Sequence, residues 1–331
     1  MFPQMLKDKR FLPLLIPNFL SALNDNFIRN VFLFFVTYKM TQGSALLIIS
    51  AVILYALSFS FASVFAGQMA DRMSKTKFMQ GIRILEIAVM VMALVSLSLD
   101  SRWLLVLIVA SMGGVAAFLR VGNNSIMPVL VTEKNLNMGN VWLKVSATLG
   151  SLAAVGFLTS ILKFDAAYYV VTFIAFALSV VSFLITLKLP LTDAADPDAP
   201  LYKSPKKAFG AVADYLKNKY DIWLYIVGIS WFWILAAVVA MFSAEYGRAV
   251  LNARWSVVMY LSGVFGLGYI IGAFLYAKVT HKNNMGTWTA LVSFLMSLFL
   301  FDLVIASADV VHDPSEKAIT VAKMFTTDFD Y

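Results

Sequence analysis

Nine long apolar segments constrain this chain of 331 residues more than any other feature of its sequence. A helix of about 20 apolar residues crosses the hydrocarbon core of a bilayer, and each segment reaches that length. Hydrophobic residues make up 60% of the chain and charged residues 14%, a balance that a water-soluble fold cannot bury. The sequence therefore predicts an all-α transmembrane fold and argues against a soluble enzyme, a disordered chain or a nucleic-acid-binding module. The predicted spans are residues 11–38, 45–70, 77–98, 103–127, 138–160, 166–188, 221–246, 256–278 and 285–308.

The distribution of charge predicts the orientation and the domains. More than half of the 26 Lys and Arg residues lie in segments predicted to be on the same side of the membrane as the N-terminus. Because basic residues are enriched in cytoplasmic loops, this indicates a cytoplasmic N-terminus. We expect a six-helix bundle over residues 1–188, a cytoplasmic linker with an amphipathic helix over residues 189–220, three further spans over residues 221–308 and a polar tail over residues 309–331. Six spans, a long linker and more spans are typical of a two-bundle transporter.

The second bundle of such a transporter has six spans, whereas this chain supplies three. We therefore expect the 331 residues to be a fragment of a longer product that lacks the last three spans. On this interpretation they do not transport alone.

The first span carries the densest set of polar side chains. Asn18, Asp25 and Arg29 fall at helical spacing on one face, with Asn24 beside them. Ionisable groups in a span usually face a polar cavity or a partner. We expect these four residues to line a substrate cavity, the alternative being a self-neutralised Asp25–Arg29 pair that serves helix packing.

Five more polar residues lie in the third to fifth spans, in the half expected to be cytoplasmic. They are Arg83, Glu86, Arg120, Asn123 and Lys144. Charged groups in that position can form a cytoplasmic gate held by ion pairs, or can simply reach the membrane interface along their own apolar stems. Both interpretations remain open from the sequence.

Covalent chemistry is poorly represented. The chain has no Cys, only two His residues outside the predicted spans, and no nucleotide-binding, zinc-protease or serine-hydrolase motif. We therefore expect no catalytic residue, no metal and no cofactor, and we do not expect the protein to be an enzyme.

The loop after the second span reads GQMADRMSKTK over residues 67–77. It resembles the signature between helices 2 and 3 of the major facilitator superfamily, with Ser74 in place of the second glycine. The resemblance implies a cytoplasmic latch formed by Gly67, Asp71, Arg72 and Lys75. In this interpretation Gly67 allows two helices to approach closely.

Other strings are similar to a narrower group. NFLSALNDNFIRN over residues 18–30, GISWFW over residues 228–233 and LFDL over residues 300–303 resemble the lysophospholipid transporter family. The similarity is greatest to the transporter domain fused to acyl-glycerophosphoethanolamine acyltransferase and acyl-carrier-protein synthetase. Asn123 stands where that family usually has a lysine, and Arg120, one turn earlier, is the candidate replacement for its charge.

This resemblance implies a bacterial inner-membrane facilitator that moves lysophospholipid by alternating access, with Asp25 contacting the head group. The expected partners are the bilayer, a lysophospholipid or other amphiphile, and an acyltransferase fused to the chain or encoded nearby. Two alternatives remain: a facilitator for a soluble solute or drug, and a non-transporting membrane module that scaffolds a lipid-remodelling acyltransferase.

Overall fold

The computed structural model describes residues 10–39, 44–99, 101–132, 135–161, 167–198, 202, 204–217, 219–232, 255–279 and 285–308. All regular structure in these residues is helical. The helices are α1 (Leu12–Lys39), α2 (Ser44–Arg72), α3 (Lys75–Ser98), α4 (Arg102–Leu130), α5 (Leu136–Ile161), α6 (Ala167–Thr186), α7 (Pro205–Leu216), α8 (residues 220–232), α9 (Trp255–Val279) and α10 (Met285–Ala308).

Five of the described helices, α2 to α6, are long and apolar enough to cross a membrane. Helix α1 is 28 residues long but carries a row of polar side chains. In α9 the segment Gly266–Tyr276 is apolar but shorter than these five. The second half of the predicted seventh span and the predicted tail lie outside the described residues.

Large apolar side chains cover the outside of these helices. On α2, Leu46, Ile49, Val52, Ile53 and Phe61 are all more than half exposed. Exposing such side chains to water costs about 25 cal/mol per Å², so hydrocarbon is the solvent that suits this surface. The chain is therefore a multi-pass membrane protein.

The first of two compact units covers Met1–Ala213 and contains α1 to α6. Helix α1 packs against α4, α5 and α6, helix α2 packs against α4, and α3 packs against α4 and α6. Two glycines allow the closest approaches. A Cβ at Gly113 would collide with the carbonyl oxygen of Tyr55 on α2, and one at Gly150 would collide with that of Phe19 on α1. Small residues at helix crossings are a common packing device in membranes.

The second unit covers Asp214–Tyr331 and contains α8 to α10. The division between the units falls inside the segment predicted as a linker. The short helix expected within this linker is α7, which covers Pro205–Leu216. Two apolar residues of this helix, Phe209 and Val212, are both exposed.

Candidate functional site

An ion pair lies at the middle of α1. Asp25 follows Leu12 by 13 positions, about 20 Å along a helix of 28 residues. Its Oδ2 atom lies 3.0 Å from Nη2 of Arg29, one turn later. The Asp25 side chain is 17% exposed and that of Arg29 44%, so the pair reaches the surface of the unit. The spacing of four residues places Asp25 and Arg29 close enough to pair on one face of the first span, and the structure shows this ion pair.

A tyrosine from α2 completes the surroundings of the carboxylate. The Tyr55 hydroxyl lies 3.3 Å from Oδ1 and 3.4 Å from Oδ2 of Asp25, and donates to this carboxylate. The guanidinium of Arg29 also lies over the Tyr55 ring, with Cζ 5.6 Å from the ring centroid. Asp25 is therefore fixed from two helices, and a carboxylate held in this way is preorganised to contact a cation.

Asn26 ties the same turn of α1 to α5. Its Nδ2 atom donates to the Ser151 hydroxyl at 3.0 Å, and its Oδ1 accepts from Nη2 of Arg29 at 3.3 Å. Arg29 is consequently held by two side chains of its own helix. These bonds limit the conformations of the guanidinium while leaving it partly exposed.

Arg120, predicted as part of a gate, lies on an exposed part of α4. Its guanidinium stacks over Phe59 of α2, with Cζ 5.2 Å from the ring centroid. Phe59 follows Tyr55 by one turn, so the two arginines lie over successive rings on one helix. The structure thus associates Arg120 with the Asp25–Arg29 pair rather than with Arg83 and Glu86.

Asn18 and Asn123, by contrast, hold helices together. Asn18 Nδ2 donates to the Leu143 carbonyl at 2.8 Å and to the Ser146 hydroxyl at 2.7 Å. Asn123 Nδ2 donates to Asn18 Oδ1 at 2.8 Å. These bonds join α1, α4 and α5, which favours a packing role for Asn18 over the predicted cavity and for Asn123 over the predicted gate.

Asn24 is fully buried, and among the described residues neither amide atom of its side chain has a hydrogen-bond partner. Complete burial does not fit the hypothesis that Asn24 lines a substrate cavity. The sequence could not distinguish it from its neighbour Asp25, because adjacent residues differ by about 100° around a helix and either side could face inward.

Arg83 and Glu86 form an ion pair in the interior of the first unit. Arg83 Nη1 lies 2.8 Å from Glu86 Oε2, and both side chains are fully buried. The Ser21 hydroxyl of α1 donates to the Glu86 carboxylate at 2.9 Å and also accepts from Arg83. A gate operates by breaking contacts between two moving bodies, whereas this pair joins α3 to α1 within one unit. Its placement favours a structural role.

Lys144, the remaining gate candidate, lies on an exposed part of α5. The five residues predicted as a gate therefore do not form one cluster. The sequence analysis missed Tyr55 and Phe59, because the arginines that lie over their rings come from other helices. Ser21 lies at helical spacing with Asn18, Asp25 and Arg29 in the sequence, and in the structure its hydroxyl bridges the buried ion pair.

The predicted latch occupies a tight connection. Helix α2 ends at Arg72 and α3 begins at Lys75, so Asp71 belongs to the last turn of α2 rather than to a loop. Ser74 caps α3, and its hydroxyl accepts from the Lys77 amide, which explains how serine serves where the superfamily signature has glycine. Among the described residues, no atom lies within 4 Å of a Cβ built on Gly67. The close helix approach expected at Gly67 therefore stays a prediction.

The segment after α6 runs across this connection and is bonded to it. The Thr76 hydroxyl, which is fully buried, donates to the Pro190 carbonyl at 2.5 Å, and the Thr76 amide donates to the Thr192 hydroxyl at 3.1 Å. The Asp196 amide donates to the Asp71 carbonyl at 2.9 Å. We call residues 190–198 the strap. It fixes the α2–α3 connection to the start of the linker.

Two further bonds extend these contacts. Arg72 Nε donates to the Pro197 carbonyl at 3.3 Å, and the amide of Tyr202 donates to Gln68 Oε1 at 2.6 Å. Most of the acceptors are main-chain carbonyls. Any movement of the α2–α3 connection must therefore carry the strap with it or break these bonds.

We expect Thr76→Val to loosen the strap. The substitution keeps the shape of the side chain but leaves the Pro190 carbonyl without its donor, which costs about 1–3 kcal/mol. Limited proteolysis within residues 191–198 should then become roughly tenfold faster, since cleavage follows the population of the open form. Asp71→Ala is the matched control, because Asp71 contacts the strap only through its main chain. Equal cleavage rates in wild type and Thr76→Val would contradict the strap.

Among the described residues no group of three or more His, Cys, Asp or Glu side chains is placed to hold a metal ion. The chemistry that the Asp25 region offers is electrostatic recognition. The Asp25 carboxylate pairs with the Arg29 guanidinium, and the Arg120 guanidinium lies over Phe59, one turn of α2 from Tyr55.

The chain is similar to one described protein family and to solved transporter structures. The family described as Major Facilitator Superfamily matches residues 14–315. Two solved structures that the chain is similar to are described as a POT family transporter in complex with 5-aminolevulinic acid and one in complex with a thioalcohol-conjugated peptide, at 16% and 15% sequence identity. Each similarity has a TM-score of 0.46 and covers 74% of this chain and 53% of the solved one. The chain thus spans about half the length of these structures. None of the curated proteins matches the sequence.

Proposed function

The chain belongs to the major facilitator superfamily of membrane transporters, and we propose that it carries lysophospholipid by alternating access. In this proposal α1 to α6 form the N-terminal bundle, and α8 to α10 form part of the C-terminal one. The protein resides in a bacterial inner membrane with its N-terminus in the cytoplasm. The observation that carries the proposal is the Asp25–Arg29 pair, which lies at mid-helix, partly exposed and fixed by Tyr55.

The charges of the site suit a zwitterionic head group. An ethanolamine phosphodiester bears one ammonium group and one anionic phosphate, and the site offers a carboxylate and guanidinium groups. A charged side chain in the middle of a span is costly unless it faces a cavity or a partner. A lipid head group supplies such a partner, and its single acyl chain can remain against apolar side chains of the kind exposed on α2.

The sequence resemblance supports the same substrate class. The string over residues 18–30 that resembles the lysophospholipid transporter family contains Asp25, Asn26 and Arg29, which are the α1 residues of this site. An acyltransferase that receives the transported lipid, fused or encoded nearby, is the partner that this function requires.

The experiment that tests the proposal is transfer of labelled lysophosphatidylethanolamine across proteoliposomes that contain the full-length protein. We expect transfer well above that of protein-free liposomes, and no comparable uptake of glycerophosphoethanolamine, which has the head group without the acyl chain. Equal transport of both compounds would instead favour a facilitator for soluble solutes. Absence of transfer, with correctly inserted protein, would favour the non-transporting scaffold.

A further inference from the structure

Helix α7 has an apolar side that is exposed at the surface. The helix is 12 residues long, about 18 Å, which is too short to cross a bilayer. Phe209 is 56% exposed and Val212 is 54% exposed. Ala208 beside them is buried, so one edge of α7 packs against the protein while the two larger side chains face outward. Water is a poor solvent for this side, because the free energy of exposing it rises with its apolar area.

The lysines of α7 lie away from the apolar side. At about 100° per residue, Phe209, Val212 and Leu216 fall within about 60° of one another around the helix. Lys207 lies almost opposite them, and Lys206 lies at the boundary between the two sides. Both lysines are exposed. An apolar side with lysines beside and opposite it is typical of a helix that lies in the membrane interface.

The charge of α7 is positive where it faces solvent. Its single carboxylate, that of Asp214, lies 2.6 Å from Nζ of Lys217, one residue beyond the end of the helix. Both side chains of this pair are exposed. Because the pair is neutral, the net positive charge of the helix comes from Lys206 and Lys207.

The segment after the strap brings the start of α7 to the end of a membrane span. Helix α2 is a candidate span that ends at Arg72. The Tyr202 amide donates to Gln68 Oε1 at 2.6 Å, one turn before that end. Pro205, the first residue of α7, follows Tyr202 by three positions, so it lies within about 11 Å of it. Helix α7 therefore begins near the level at which hydrocarbon gives way to lipid head groups.

We propose that α7 docks on the surface of the surrounding bilayer, with its apolar side among the lipid chains and with Lys206 and Lys207 against anionic head groups. The ligand is an anionic phospholipid of the membrane, whose net negative charge attracts lysines near the surface. The inference concerns the linker and is independent of the substrate that the protein transports.

The first test locates the apolar side. The chain has no cysteine, so one nitroxide label can be attached to a single introduced cysteine in the full-length protein. In liposomes of equimolar phosphatidylcholine and phosphatidylglycerol, we expect a label at Phe209→Cys to collide readily with oxygen, which concentrates in lipid, and rarely with a water-soluble nickel complex. Gly210→Cys is the matched control, because it lies about 100° around the helix and no described atom lies within 4 Å of a Cβ there. Its label should show the reverse preference.

Two results would overturn the docking. Equal accessibility to nickel at both positions would place Phe209 in water. Low accessibility at Phe209 to oxygen and nickel alike would show that a protein surface covers this side of α7, and the occupant would then be a protein segment instead of lipid.

The second test concerns the lysines and compares pure phosphatidylcholine liposomes with the anionic mixture. For the label at Phe209→Cys, we expect the ratio of docked to undocked populations to rise about 30-fold in the anionic mixture, about fivefold for each lysine. Lys206→Gln/Lys207→Gln should abolish the rise, whereas Lys188→Gln, which removes an exposed charge after α6, should preserve it. A ratio that is the same in both liposomes, or a rise that survives the double substitution, would overturn the binding of anionic lipid by these lysines.

Discussion

Asp25→Asn is expected to reduce the rate of lysophospholipid transfer at least about tenfold while the amount of inserted protein stays normal. The substitution keeps the shape of the side chain and removes its charge. The ammonium group of the substrate then loses its counterion, and a hydrogen bond between charged groups contributes about 1.5–3 kcal/mol. Insertion should tolerate the change because an uncharged amide is less costly than a carboxylate in a span. The measurement is initial transfer rate in proteoliposomes at matched protein content.

Two variants separate this role from a general effect of charge. Tyr55→Phe removes the hydroxyl that donates to Asp25 but keeps the carboxylate, so we expect a smaller loss of transfer, about two- to tenfold. Asp214→Asn removes an exposed carboxylate on α7 and should leave transfer unchanged. Wild-type transfer by Asp25→Asn would contradict the substrate role and favour the alternative of an ion pair that serves helix packing.

The sequence was sufficient to predict the pairing of Asp25 with Arg29, since a spacing of four residues fixes two side chains on one helical face. It could not predict which polar residues face the interior of the unit. Asn24 is buried while Asp25 is partly exposed, and Arg83 is buried while Arg120 is exposed. That difference depends on where neighbouring helices lie, which the hydropathy of a single span does not encode.

Most of the helices of the first unit follow directly from apolar runs and short polar breaks. The α2–α3 connection is shorter than predicted because a charged residue such as Asp71 can occupy the last turn of a helix that leaves the membrane. The strap was unpredictable for a different reason. Most of the hydrogen bonds between the strap and α2 and α3 are accepted by the main-chain carbonyls of Pro190, Pro197 and Asp71. Main-chain groups are the same in every residue, so the pattern of side chains does not reveal these bonds.

Tyr55 and Phe59 illustrate a third limit. Aromatic residues in an apolar run are as common on the lipid-facing side of a span as in a site. Only the guanidinium groups above the rings give these two residues a role, and those groups come from α1 and α4. A contact between residues separated by 61 positions, as for Phe59 and Arg120, is invisible to any local periodicity.

The buried ion pair provides the second large expected effect. We expect Arg83→Met and Glu86→Leu each to destabilise the protein by about 3–5 kcal/mol, because each leaves one uncompensated charge in a fully buried position. In detergent, this should appear as a fall of roughly 10 °C in the apparent Tm, measured by differential scanning fluorimetry.

The double variant Arg83→Met/Glu86→Leu should recover most of that loss. It removes both charges together with Arg83 Nε and Nη2, which have no hydrogen-bond partner within the described part of the chain. The Ser21 hydroxyl can then bond a carbonyl of its own helix one turn earlier. Replacement of a buried ion pair by apolar residues of similar volume is often neutral or stabilising.

Transport by the double variant distinguishes the two roles of the pair. A structural pair predicts that the double variant, once its stability is recovered, transfers lysophospholipid at close to the wild-type rate. A gate predicts a stable protein whose transfer rate changes strongly, because the contact that holds one conformation would be missing in every molecule. Since both side chains are fully buried between α3 and α1, we expect the first result, with double-variant transfer within about twofold of wild type, a change of less than about 0.5 kcal/mol.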